Sequence, residues 1–221
     1  MIPLRDVIPS RTTPYITVTI ILLNTAAWLF EISLPPDTLQ LFLTVYGVVP
    51  AAFQPVTLIT SMFLHGGWMH VIGNMWYLWI FGDNVEDRLG HGRFIFFYLL
   101  CGIIAAFGQI AMDPESTLPT IGASGAIAGV MGAYFVLYPR SRVLTLIPLF
   151  FWWEIFELPA LVLLGFWFLM QLFSAGAIAA TAHSAGGGVA FMAHVAGFVA
   201  GMIVAFALKQ REVRSWEDSA Y

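Results

Sequence analysis

The sequence predicts an all-α membrane protein, a bundle of six transmembrane helices with both termini in the cytoplasm. Three observations carry that expectation. Of the 221 residues, 59% are apolar and 10% charged, against roughly a quarter charged in soluble domains, and the mean hydropathy is +0.83. The apolar residues gather in runs that approach the roughly 17 to 25 residues a spanning helix needs. Every Lys and Arg falls at alternate junctions between those runs.

Residues 1–14 are polar, carry Arg5 and Arg11, and are expected to form a cytoplasmic N-terminal segment. The first apolar run covers 15–30. Thr25-Ala26-Ala27 loosely resembles a signal-peptide cleavage site, but Trp28, Leu29 and Phe30 continue the run, which favours an uncleaved span. Further runs cover about 68–82, 94–112, 121–138, 158–178 and 186–208. The first two are short, and the second gains length if its helix continues through 83–89. Residues 209–221 form a cytoplasmic tail, and 1–221 is expected to be a single membrane domain.

The basic residues set the orientation. Arg5 and Arg11 precede span 1, Arg88 and Arg93 lie between spans 2 and 3, Arg140 and Arg142 between spans 4 and 5, and Lys209, Arg211 and Arg214 after span 6. The loops at 31–66, 113–121 and 179–186 contain none, so the positive-inside rule puts both termini in the cytoplasm. The apolar piece 143–153 would break the alternation if it crossed. It is short and contains Pro148, so an interfacial or re-entrant segment is expected, with Glu154 and Glu157 marking the inner interface. Loop 1, at 31–65, is apolar in LQLFLTVYGVVPAAF and is expected to fold into short amphipathic helices at the outer interface or against the bundle. Loop 5, SAGAIAATAHSAGGGVAF, lacks large side chains and is read equally as a gate or a plain connector.

Composition also excludes function classes. A net charge of -4 and a pI near 5.6 supply no basic stripe for nucleic acid. Cys101 is the lone cysteine, sits in an apolar run, and is expected as a small buried hydrophobe rather than part of a disulfide or thiolate cluster. His65 and His70 are five apart without a third ligand at their level, so no metal is expected, and no cofactor.

Chemistry concentrates in Gly122-Ala123-Ser124-Gly125, where a serine is flanked by residues too small to shield it. Spans 2, 4 and 6 share a direction, so counting back from their cytoplasmic basic clusters levels their residues. Ser124 precedes Arg140 by 16 residues and His194 precedes Lys209 by 15, each roughly 23 Å along a helix. Asn74 precedes Arg88 by 14 and His70 by 18, so Asn74 is level with the serine and His70 one turn further out on the same face. Taken singly, His194, His70 and Asn74 are equally read as interhelical hydrogen-bonding glue. Their common level with a glycine-flanked serine favours a site, because polar groups inside a membrane bundle are costly.

The roles follow from the residue types. His194 can take the Ser124 proton as general base and return it to a leaving amine, within about 3.2 Å. Gly125, Ala128, Gly129 and Gly132 on span 4 and Ala193, Gly197 and Gly201 on span 6 let the two helices approach that closely. Asn74, a ring nitrogen of His70 and the Ser124 backbone N–H can donate to an oxyanion. No acidic residue lies at this level to orient His194, so a dyad is expected.

HGGWMHVIGNM, GASGAIAG and AHVAGFVAG, in this order on spans 2, 4 and 6, resemble the rhomboid intramembrane serine proteases, essentially from span 1 to span 6. The resemblance implies Ser124 as nucleophile, His194 as base, and His70 and Asn74 as oxyanion stabilisers. It also implies single-span membrane proteins as substrates, cut near the outer end of an easily unwound helix, with the lipid bilayer as surroundings and a prokaryotic plasma membrane as location. VEDRLG after span 2 is family-like too, with Glu86 and Arg88 in structural contacts. There are departures. Val56 and Thr57 stand where many rhomboids carry a Trp-Arg pair, and Ala128 stands where some place an aromatic on the catalytic histidine, so loop 1 and the imidazole must be held differently. His65 is expected as an outer-interface histidine and Gln109 in interhelical hydrogen bonding. Two other readings are a non-catalytic rhomboid-like protein that binds transmembrane helices, and a six-span transporter, against which the chain shows no internal repeat. Oligomeric state is not legible.

Overall fold

The computed structural model describes residues 1–149, 152–181 and 190–219. The chain is mostly helical, and its first helix, α1 (Tyr15–Glu31), starts after Pro14. No side chain of its own caps this helix. Glu86, fully buried near the end of α4 (Trp68–Leu89), does so instead, accepting the N–H groups of Ile16 at 2.9 Å and Thr17 at 2.7 Å. A carboxylate there meets both the orphan amides and the positive end of the helix dipole.

Loop 1 carries α2 (Pro36–Tyr46) and α3 (Thr57–Thr60), with 3-10 turns at Pro50–Ala52 and Ser61–Phe63. In place of a Trp-Arg anchor, loop 1 is tied by backbone bonds to the loop that leads into Ser124. Val48 and Thr120 exchange bonds of 3.0 and 2.8 Å, and the Gly122 N–H donates to the Ser61 carbonyl at 2.9 Å. Buried Glu31 at the end of α1 accepts the His65 N–H at 3.1 Å.

Helix α4 ends at Gly90, whose φ of +78 turns the chain directly into α5 (His91–Met112). Helix α6 (Ser124–Leu137) is the hub, buried without interruption from Gly125 to Tyr134. Beside it run α7 (Ala160–Thr181) and α8 (Phe191–Ser219). The largest buried side chains, among them Phe81, Phe94, Tyr98, Met131, Tyr134 and Phe198, form one core between α4, α5, α6 and α8. Among the described residues, three helical stretches are long and apolar enough to cross a membrane, His91–Met112, Ala160–Ile178 and Phe191–Lys209; α1 and α6 are apolar but shorter. Helix α4 has the length, but His70, Asn74, Asp83 and Asn84 interrupt its apolar sequence.

The all-α expectation is corrected by a three-stranded antiparallel sheet, β1 (Ile2–Asp6), β2 (Arg142–Leu149) and β3 (Trp152–Pro159), in the order β1-β2-β3. Of segment 143–153, expected as interfacial or re-entrant, residues 143–149 and 152–153 belong to a β-ribbon in which Arg142 pairs with Pro159 and Leu149 with Trp152. Val143, Thr145 and Ile147 favour extended backbone and Pro148 bars a helix. The N-terminal segment supplies the third strand, with Ile2 opposite Leu146 and Asp6 opposite Val143. Because the ribbon consumes residues to Pro159, the helix of the fifth apolar run, α7, begins at Ala160 rather than 158. Of the loop 5 and span 6 expectations, residues 182–189 lie outside the described residues.

This sheet and the C-terminal end of α4 meet at one end of the bundle. Tyr134 and Asn84 donate to Asp6 at 2.7 and 3.0 Å, Ser10 bonds Asp83, and the Arg11 and Thr12 N–H groups donate to Asp87 at 2.9 and 3.0 Å. Loop 1 and the loop before α6 occupy the other end.

Candidate active site

Ser124 is the first residue of α6. Gly122, two residues before it, has φ +122, a left-handed conformation that L side chains rarely adopt. A Cβ there would also stand 2.6 Å from His70 Nε2 and 3.7 Å from Asn74 Nδ2. Its missing side chain is thus the space into which both polar groups of α4 reach. Starting the helix at Ser124 leaves its backbone N–H among the first-turn donors without an intrahelical partner.

The seam between α6 and α8 is backbone on backbone. A methyl added at Gly197 would overlap the Gly125 carbonyl, one at Gly201 the Gly129 carbonyl, and one at Gly132 the Phe198 carbonyl. Added to Gly125, it would meet the Ala105 methyl of α5 at 2.5 Å. Across this seam His194 Nε2 lies 2.8 Å from Ser124 Oγ. His194 is buried, while Ser124 remains partly accessible beside a small pocket lined by Ser61, Gly102, Ala105, Gly122 and Ala193.

On the α4 side, the Gly66 N–H donates to His70 Nδ1 at 3.3 Å, which leaves the proton of a neutral imidazole on Nε2, the nitrogen facing Gly122. His65, expected at the outer interface, is instead fully buried, edge-on to His70 with ring centroids 5.0 Å apart. Burial, and after it the neighbouring His70, pushes its pKa down to about 4, so the ring is neutral. His65 Nε2 accepts one amide hydrogen of Asn74 at 3.1 Å, and among the described residues the second amide hydrogen is free for another acceptor. The carbonyl oxygen of Gln109, expected in interhelical hydrogen bonding, is buried with no hydrogen-bond partner among the described residues.

A sequence profile of the rhomboid domain matches residues 52–211. The chain belongs to the rhomboid family. It is 29% identical over 207 residues to the Bacillus subtilis protein named "Putative rhomboid protease YdcA", covering 91% of this chain and 93% of that one. It is also 29% identical over 161 residues to the Arabidopsis thaliana "RHOMBOID-like protein 6, mitochondrial", covering 73% of this chain and 46% of that protein. Over a shorter stretch of 85 residues it is 41% identical to the Bacillus subtilis "Rhomboid protease GluP", covering 38% and 16%. A rhomboid with several long apolar helices is a membrane protein.

Where some rhomboids set an aromatic against the histidine, Ala128 is wholly buried in the core, and contacts come from α7 and from Phe191 of α8, edge-on with centroids 6.4 Å away. Gln171 Oε1 lies 2.8 Å from His194 Nδ1, and the Trp167 ring lies 5.7 Å from the imidazole, centroid to centroid. Neither residue is expected from the motifs. The signal is Gln171 itself, a lone amide in the apolar run LVLLGFWFLMQLF.

Proposed function

We propose that this rhomboid is an intramembrane serine endopeptidase acting through Ser124 and His194, with His70, Asn74 and the Ser124 N–H as oxyanion donors. The observation that carries the reading is the 2.8 Å approach of His194 Nε2 to Ser124 Oγ across a seam made of glycines. Ser124 Oγ attacks the scissile carbonyl carbon while its proton passes to His194 Nε2. The carbonyl oxygen becomes an oxyanion, held by the free amide hydrogen of Asn74, His70 Nε2–H and the helix-start N–H. Collapse breaks the C–N bond, and His194 returns the proton to the leaving amine. Water, deprotonated by the same nitrogen, then releases the acyl group from Ser124.

The substrate class is single-span membrane proteins, cut near the outer end of a helix that unwinds readily. Six spans with both termini cytoplasmic, in a prokaryotic plasma membrane, complete the reading. The distribution of basic residues supports this topology. So does the gathering of residues 1–14, the end of α4 and the β2–β3 ribbon at one end of the bundle.

The test is a fluorophosphonate probe on the purified protein together with a single-span reporter in liposomes. Labelling at Ser124 is expected, and Ser124→Ala and His194→Ala are each expected to lower cleavage by about 10³-fold or more. Full cleavage by either variant would overturn the assignment. Reporter binding without cleavage by the unaltered protein would favour a non-catalytic helix-binding rhomboid.

A further inference from the structure

The imidazole of His194 has two nitrogens, and the proposed proton transfer uses only Nε2. The other, Nδ1, stands 2.8 Å from Gln171 Oε1 on α7. Resting on the assignment of Ser124 and His194 as a dyad, we infer that Gln171 is the positioning residue of the base: its side-chain carbonyl holds the Nδ1–H and so fixes the tautomer that leaves Nε2 free to receive the serine proton.

The argument is one of hydrogen-bond bookkeeping. A neutral imidazole carries one N–H and one lone pair, so the partner of Nδ1 decides what Nε2 can do. With the Gln171 carbonyl toward the ring, Nδ1 donates and Nε2 accepts from Ser124. With the amide turned over, its NH2 group would donate to Nδ1, the proton would sit on Nε2, and Nε2 would donate to Ser124 Oγ instead of accepting from it. The two orientations of one amide correspond to a competent and an incompetent base. Trp167 precedes Gln171 by four residues and shares its helix face, so its ring packs on the imidazole while the amide holds its edge. His194 is thereby fixed by α7 although it acts on a nucleophile carried by α6.

The test uses the full-length protein in liposomes with the single-span reporter, comparing Gln171→Leu and Gln171→Glu. Leu keeps the bulk and removes the acceptor; Glu keeps an accepting oxygen at the same reach. Gln171→Leu is expected to lower kcat by about tenfold to a hundredfold with KM within about twofold, and Gln171→Glu to restore kcat to within about fivefold of the unaltered protein. A purely packing role predicts the reverse order, with Leu tolerated and Glu harmful, and that result, or equal loss in both variants, would overturn the inference. A second measurement needs no substitution at Gln171. The ¹⁵N spectrum of histidine-labelled protein, with His194 assigned by its loss in His194→Ala, should show the proton on Nδ1, and a proton on Nε2 overturns the inference. Failure of the protease reading is distinguishable: the unaltered protein would then neither label nor cleave, while the spectrum would still report the tautomer.

Discussion

Gly197→Ala tests the idea that the α6–α8 seam sets the catalytic distance. A methyl at Gly197 would lie 3.0 Å from the carbonyl carbon of Gly125 and closer still to its oxygen. Neither side can yield by rotating a side chain, because the obstacle is main chain. Clearing that oxygen to 3.0 Å, the closest that real Cβ atoms come to a neighbour, requires the helices to part by about 1 Å. Gly197 follows His194 by less than a turn and Gly125 is next to Ser124, so the parting acts almost directly on the 2.8 Å bond between them. That bond then lengthens to about 3.8 Å, beyond the roughly 3.2 Å reach of proton transfer, and a displacement of this size costs about 10²-fold in rate. Overpacking destabilises by about 1 to 3 kcal/mol, partly offset by the gain of about 1 kcal/mol for Ala over Gly in a helix. The protein is therefore expected to fold and to fail in catalysis. The assay is kcat on the single-span reporter, with fluorophosphonate labelling rate and thermal unfolding measured in parallel. Gly176→Ala is the control, since a Cβ there meets nothing within 4 Å among the described residues. A folded Gly197→Ala protein with unaltered kcat would refute the reasoning.

Glu86→Ala removes the acceptor of the Ile16 and Thr17 N–H groups and the partner of His91, 2.6 Å away. Two orphaned amides at a helix start predict a loss of about 2 kcal/mol or more, seen as a lower unfolding temperature, with probe labelling at low temperature unchanged because Ser124 lies at the opposite end of the bundle. An unshifted unfolding temperature would count against Glu86 as the cap of α1. Asp6 is expected to give a pH signature. Burial first, with Asp83 adding to it against the opposing Tyr134 hydrogen bond, raises its pKa from 3.8 to about 6. The folded state thus holds this proton more tightly than the unfolded chain. The stability from protonated Asp6 is fully present below pH 3.8 and is lost as pH rises through about 6. Asp6→Asn should flatten the unfolding temperature between these values, and an unchanged slope would show that Asp6 does not titrate in that window.

The parts of this site that were legible in the sequence share one property: each is a polar or very small residue where the surroundings demand large apolar ones. Ser124, His194, Asn74 and His70 stand out on that ground, and counting along helices from basic clusters places them at similar depth because a helix converts residue number into length at a fixed rate. The same count fails for Gln171. Its nearest basic residue, Arg142, is separated from α7 by the β2–β3 ribbon, where the rise per residue is different and the chain turns back on itself. Measured from Ala160, the first residue of α7, Gln171 falls in the middle of its helix, but that starting point depends on knowing where the ribbon ends. The ribbon was hidden for its own reason. Strands are recognised by alternation, and β3 is exposed on both faces through Glu157, so Trp152, Trp153, Ile155 and Phe156 show no buried and solvated sides. β1 draws its pairing from Leu144 and Leu146, well over a hundred residues away, which no local pattern in IPLRD reveals. His65 was misplaced for a third reason. Proximity to a loop suggested exposure, whereas Glu31 and Asn74, from two different helices, bury it by hydrogen bonds to its backbone and its ring. Apart from the locally paired β2–β3 ribbon, what the sequence withheld was a contact between distant segments, and those contacts, through Gln171 to His194 and through His65 to Asn74, orient the residues that the motifs supplied.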